Sequence, residues 1–283
     1  MFQVATPVHA FSHHGHGHHL SPMTAPAVQL PRTLSRPHYS EVSRESITAV
    51  APELANVPAE YIRRGLRARA PQMQAGLACL SLPVSIPKCH VPSSLSVPVR
   101  GTSVSSQPTY PTHLLAIAHS KSSPNEHASL FPVHSVIIAS QCTTLPRLPP
   151  SSGPSSGSVH LPVLPLTLPS PAAFKLLHTY LYDHSLEGLM RSLFPLPSPF
   201  VQSLSHHTIQ STLASGSSLH QLSSYLCSST AGSLQALTTH AAHVKELWQD
   251  IVALGIHDPE LWDALDLSWE VVLGALNLAA TGN

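Results

Sequence analysis

At 283 residues, with 28 Pro, 10% charged residues and about one Ser in seven, the chain has the length of one large domain or two small ones. It is too rich in helix and strand breakers to form a single core from end to end. An apolar share of 42% and a mean hydropathy of +0.09 exceed those of a wholly disordered polar chain, so compact segments joined by Pro/Ser-rich stretches are expected.

Fourteen Lys and Arg balance fourteen Asp and Glu. Residues 1–150 carry eleven basic and five acidic groups, and residues 151–283 three and nine, which makes the chain a mild dipole. Four scattered cysteines in a chain of this length, with no leader pattern at its start, point to a reducing intracellular compartment. No run of eighteen apolar residues occurs, so no membrane-spanning helix is expected.

Residues 1–46 are His-, Pro- and Ser-rich without periodicity and read as disordered. Residues 47–76 read as a helical segment. After Pro58, Glu60 falls in the first turn and arginines follow, which complements the macrodipole, while Ile62, Leu66 and Met73 share one side. Pro71 is expected to end or kink that helix, and residues 77–111, with Pro every few positions, read as an extended linker.

In residues 112–205, His113 to Ala118 is an apolar strand candidate, and Leu130 to Ser140 reads as a strand passing into a helix. Residues 146–158 read as a loop. Residues 160–168 alternate as an edge strand, since Pro162 and Pro165 argue against a central one. Ser170 caps a helix with Pro171 at its first position, and Phe174, Leu177, Leu181 and Tyr182 recur at helical spacing.

Residues 206–283 read as a C-terminal helical region. Leu234, Leu237, Ala241, Val244, Leu247, Trp248, Ile251 and Leu254 line one helix, which Gly255 closes, and Asp258-Pro259-Glu260 opens the last. In that last helix Asp263, Asp266, Glu270 and Asn277 form a narrow polar stripe, and apolar side chains cover most of the rest. Such a helix requires broad burial, against the rest of the chain or against another protein. Trp262, Leu265, Trp269 and Leu273 are the partner-interface candidates.

The chemistry-bearing motifs are weak. His13, His14, His16, His18 and His19 could hold a metal but lack carboxylate or Cys companions, and Cys89-His90, ten residues after Cys79, lacks a second ligand pair at zinc spacing. Gly153-Pro-Ser155-Ser-Gly157 satisfies the pattern of a nucleophile elbow, but it follows Leu-Pro-Pro instead of a strand, so a hydrolase using Ser155 is only the lesser alternative. No phosphate-binding Gly-rich loop occurs. Arg63, Arg64, Arg67 and Arg69 form the one basic cluster. It fits a solvated helix face or an import-like patch better than a nucleic-acid surface, which needs several phosphate contacts.

Two segments carry a resemblance. Leu130 to Ser140, with Val133-His134, resembles the strand-to-helix element of BTB/POZ domains, and Leu164 to Tyr182 resembles their later strand, Pro-rich turn and Phe-x-x-Leu-x-x-Tyr-x-Tyr helix. The Asp-Val pair usual before Val-His is missing, and an extra loop follows Ala139-Ser140. Combined with Pro58 to Gly76 and the Ile256 to Leu265 segment, the pattern is similar to the clampless-type proteins of basidiomycetes.

That resemblance implies an α+β fold with a degenerate BTB/POZ-like domain over residues 112–205. It implies a nuclear, non-enzymatic regulator of clamp-cell formation and dikaryotic development, acting through transcription-factor partners and without a cofactor. The alternative on the same resemblance is a self-associating, homodimeric adaptor.

Overall fold

The computed structural model describes residues 30–100, 108–123, 125–151 and 157–282. Its helices are α1 (Arg44–Val50), α2 (Ala59–Ala78), α3 (Ser135–Gln141), α4 (Pro171–Asp183), α5 (Leu186–Leu193), α6 (Ser198–Gln202), α7 (His206–Leu213), α8 (Gly216–Ser229), α9 (Leu234–Leu254) and α10 (Pro259–Thr281). Six of the serines that make the composition look linker-like mark helix starts. Ser43, Ser170, Ser185, Ser205, Ser215 and Ser233 precede α1, α4, α5, α7, α8 and α9, and each hydroxyl accepts the backbone N–H three residues on. Asp258 does the same for α10, accepting from Glu260 and Leu261.

Five strands, β1 (Ser85–Pro87), β2 (Ser94–Pro98), β3 (His113–His119), β4 (His127–Val133) and β5 (Ser158–Leu168), form one mixed sheet in the order β1-β4-β3-β5-β2. The fold is therefore mixed α/β, as the pattern predicts. Both edge strands come from the stretch expected to be linker. β5 lies inside the sheet, contrary to the edge position its prolines imply.

The register shows why those prolines are tolerated. Residues 158–162 of β5 pair with β2, and residues 163–168 pair in parallel with β3, so the strand passes from one neighbour to the other. Val163 donates to Ser93, so alternate residues turn their N–H toward β2. Pro162 turns away from β2 one residue before the β3 pairing begins, and Pro165 faces the β2 side past the last β2 partner.

β3 is buried on both faces. Leu114, Ala116 and Ala118 join Leu130, Val159, Leu161 and Val97 in a small core on one face of the sheet, while Leu115 and Ile117 point to the helices on the other. α2 runs on through Pro71 instead of stopping there. Ile62, Leu66, Ala70, Met73 and Gly76 are buried along its length, which offsets the loss of one helical hydrogen bond. Gly76 is obligatory, because a Cβ there would stand 1.7 Å from the Thr109 carbonyl oxygen.

α10 is the axle of the helical layer, packed against α5, α7, α8 and α9. It packs closely on α8, where a Cβ on Gly274 would meet Ser223 Oγ at 2.3 Å. Residues 30–43, part of the stretch expected to be disordered, form a strap that bends at Arg32 and Thr33, lies on α9 and α10 and leads into α1. Leu34, Val42 and Ile47 are buried in the main core. No helix among the described residues is long and apolar enough to cross a membrane.

Candidate functional site

Three parts of the chain build an open cleft of about 490 Å³. One wall is the exposed side of α2 with Glu60, Arg63, Arg64 and Arg67. The second is the strap at Tyr39 to Val42, and the third is the α9–α10 turn from Ile256 to Glu260.

The floor is fixed by a main-chain junction. Gly255, at φ +62°, closes α9, Cys142 bridges to Ile256, and the Thr143 N–H donates to the Leu254 carbonyl at 3.1 Å. A left-handed residue is required there, and glycine supplies it without strain.

The arginine cluster predicted from the sequence lies partly in this cleft, and each of its three cleft members has a partner. Arg63 donates to the Ser140 carbonyl at 3.0 Å, Arg64 pairs with Glu60 at 3.2 Å, and Arg67 Nη2 lies 3.2 Å from His184 Nδ1. Arg69 is exposed on the same helix and does not line the cleft. One carbonyl leaves most of the five guanidinium donors of Arg63 open to an incoming acceptor.

Across the cleft, burial works to raise the Asp258 carboxyl. Hydrogen bonding and charge from His184, with two backbone N–H groups, outweigh burial and leave it below the usual carboxylate range. His257 is pulled down by burial, which suits its Nε2 as acceptor of the Ser40 N–H at 3.3 Å. The walls are thus of opposite sign, with cations on α2 facing the acidic start of α10. Such a surface suits a polar protein segment carrying both charges.

The partner-interface candidates lie elsewhere. Trp262, Leu265 and Trp269 are buried and Leu273 is half-buried within the protein's own helical layer, so the broadly apolar last helix finds its cover in the same chain. What the sequence left unseen is the strap. The Trp269 and Trp248 indoles donate to the Pro31 and Ser35 carbonyls at 3.1 and 3.0 Å, and the Arg36 guanidinium stands 5.8 Å from the Trp262 ring. Arg36 also binds Asp263 at 2.7 Å and Asp266, two of the three carboxylates of the polar stripe. A signal was available in Pro31-Arg32-Thr-Leu-Ser-Arg36-Pro37, a basic segment matching the acidic stripe.

Among the other candidates, Cys89 Sγ lies 2.9 Å from His90 Nδ1 at the surface, while Cys79 is buried at the end of α2. His13 to His19 and Ser155 lie outside the described residues. Among the described residues no group of three or more His, Cys, Asp or Glu could hold a metal ion.

Fold and cleft together define a mixed α/β scaffold with an open, charged cleft. A family model described as Clampless protein 1 N-terminal domain matches residues 37–169, and one described as Clampless protein 1 C-terminal domain matches residues 187–283. The chain belongs to the clampless protein 1 family.

Two curated relatives, each called Clampless protein 1, from Cryptococcus neoformans var. neoformans serotype D strains JEC21 and B-3501A, are 31% identical to it over 135 residues. The aligned region is 47% of this chain and 24% of either relative, so the match spans about a quarter of their length. No solved structure matches.

Proposed function

We propose that the protein is a non-enzymatic nuclear regulator of clamp-cell formation and dikaryotic development that works by binding protein partners, transcription factors among them. The observation that carries this reading is the match of both clampless domains, in order, to one folded chain. The open, doubly charged cleft between α2 and the α9–α10 turn supports a docking role, because its cations retain donors for a polar partner. The β4–α3 and β5–α4 elements support a BTB/POZ-like reading of residues 112–205, and the sheet recruits β1 and β2 from outside that stretch.

The experiment is complementation of a deletion strain of a clamp-forming fungus with fluorescently tagged wild type and with Arg63→Glu plus Arg67→Glu, its folding checked by urea unfolding. Wild type is expected in nuclei and to restore clamp cells, and the charge-reversed protein to be nuclear without restoring them. Full restoration by the charge-reversed protein, or exclusion of wild type from nuclei, contradicts the proposal.

A further inference from the structure

Arg63 carries a charge that the rest of the described chain does not answer. It is half-buried on α2, its Nη1 donates to the Ser140 carbonyl at 3.0 Å, and among the described residues no carboxylate pairs with it. A cation drawn partly out of water is ordinarily matched by an anion, because burial penalises an unmatched charge. Arg67, one turn further along α2, is exposed and also lacks a carboxylate partner among the described residues.

His184 keeps the Arg67 charge open. Its ring, 5% exposed, stands between the two walls of the cleft, with Nδ1 3.2 Å from Arg67 Nη2 and 3.4 Å from Asp258 Oδ2, so cation and carboxylate each meet the imidazole and not one another. The placement uses a left-handed backbone at φ +48°, a conformation that costs a non-glycine residue free energy.

The hydrogen-bonding capacity left over in the cleft is on the donor side. Arg63 and Arg67 keep most of their guanidinium N–H groups. Arg64 is held to Glu60 in an exposed pair one turn apart, of a kind that contributes little and is readily given up. His257 accepts the Ser40 N–H at Nε2, which puts the proton of the neutral ring on Nδ1. Asp258, by contrast, is committed, accepting from the Glu260 and Leu261 N–H groups at 2.9 and 3.3 Å and from the Tyr180 hydroxyl at 3.4 Å.

A carboxylate has two oxygens and is satisfied by one guanidinium fork. Two forks on neighbouring turns, with Cβ atoms about 5–6 Å apart, can close on the three oxygens of one phosphate. The acidic start of α10 opposite, with Asp258 and Glu260, then suits a cation beside that phosphate and disfavours a second anion.

We propose that this cleft binds a phosphorylated serine or threonine of a partner protein, held between Arg63 and Arg67, with a basic residue of the same segment facing Asp258 and Glu260. The proposal deepens the docking role proposed above and rests on it for the partner being a protein. Arg63 is the anchor, since its half-buried head is fixed by Ser140, and His184 positions Arg67.

The test is fluorescence polarisation on the full chain with three labelled degenerate peptide pools, whose central residue is phosphoserine, aspartate or serine. The phosphoserine pool is expected to bind about tenfold or more tighter than the aspartate pool, and the serine pool not to bind. Inorganic phosphate is expected to compete, and peptides recovered from the bound phosphoserine fraction to be enriched in Lys and Arg. Arg63→Gln is expected to lose about tenfold or more in affinity. Should Arg63→Gln fail to fold, Arg67→Gln, at an exposed position, takes its place with the same expectation.

Equal binding of the aspartate and phosphoserine pools overturns the proposal, as does phosphoserine binding unchanged in a folded Arg63→Gln or Arg67→Gln chain. Absence of phosphoserine binding, with clamp formation still lost on Arg63→Glu plus Arg67→Glu, overturns this inference and leaves the docking role standing. Phosphoserine binding that Arg63→Gln abolishes without impairing clamp formation supports this inference and removes the developmental reading.

Discussion

The phenol oxygen of Tyr182 accepts the His134 backbone N–H at 3.0 Å and lies 2.9 Å from His134 Nδ1, joining the start of α3 to the end of α4. His134 Nε2 lies 3.0 Å from the Thr109 carbonyl. One assignment satisfies all three contacts, with Nε2 protonated and donating to Thr109 and Nδ1 accepting from the Tyr182 hydroxyl.

Tyr182→Phe removes the partner of two buried groups at once. The variant is expected to lose about 1–3 kcal/mol of unfolding free energy, read from urea midpoints at constant m-value. A midpoint equal to wild type would contradict the assignment.

Burial drives His134 down to about 4, and burial also lowers His113 and His178. Each stays neutral in the folded chain and protonates first in the unfolded one, so the unfolded state binds more protons between about pH 6.5 and 4 and stability falls as pH drops through that window. For His134 alone the loss is on the order of 3 kcal/mol. Urea unfolding at pH 7, 5.5 and 4 checks this.

Asp250 on α9 works in the opposite direction. Its carboxyl is fully buried, Oδ1 accepts the Ser170 N–H at 2.9 Å, and Oδ2 has no partner. Burial raises it to about 7, so between pH 4 and 7 the folded chain keeps a proton that the unfolded chain releases, and stability falls as pH rises. Asp250→Asn keeps the acceptor and removes that titration. The variant is expected to show a steeper gain of stability from pH 4 to 7 than wild type, and an unchanged slope would contradict the assignment.

Phe174 is 1% exposed and meets Phe131 edge to face at 4.9 Å. Phe174→Ala is expected to cost about 3–5 kcal/mol in the same urea assay. Gly255→Ala would place a Cβ 2.0 Å from Thr143 Oγ1 at φ +62°, and a loss of about 1–3 kcal/mol is expected.

The elements legible in the sequence are those whose signal is local. The Asp258-Pro259 cap, Gly255 and the three-and-four spacing of Leu237 to Leu254 define α9 and α10, and Val133-His134 marks the passage from β4 to α3. Illegible were the features decided by distant partners. β1 and β2 are short and Pro-flanked and exist because β4 and β5 offer unpaired edges. Pro71 stays in a helix because Ala70 and Met73 are buried beside it.

The strap looks disordered until Asp263, Asp266 and three indoles receive it. Of the candidate residues, Arg63, Arg64 and Arg67 reach the cleft because charge on an exposed helix face is readable from spacing. Trp262, Leu265 and Trp269, offered by the sequence as partner-interface candidates, are buried in the chain's own helical layer, because periodicity shows that a face needs cover but not what covers it.

The central claim is that α10 is an internal axle and the strap is part of its cover. Hydrogen exchange followed by mass spectrometry on the full chain tests it most directly. The account predicts that amides of residues 261–275 exchange only through global unfolding, with an opening free energy equal to that from urea, while residues 32–36 exchange faster. Exchange of residues 261–275 at the rate of an exposed helix would contradict it.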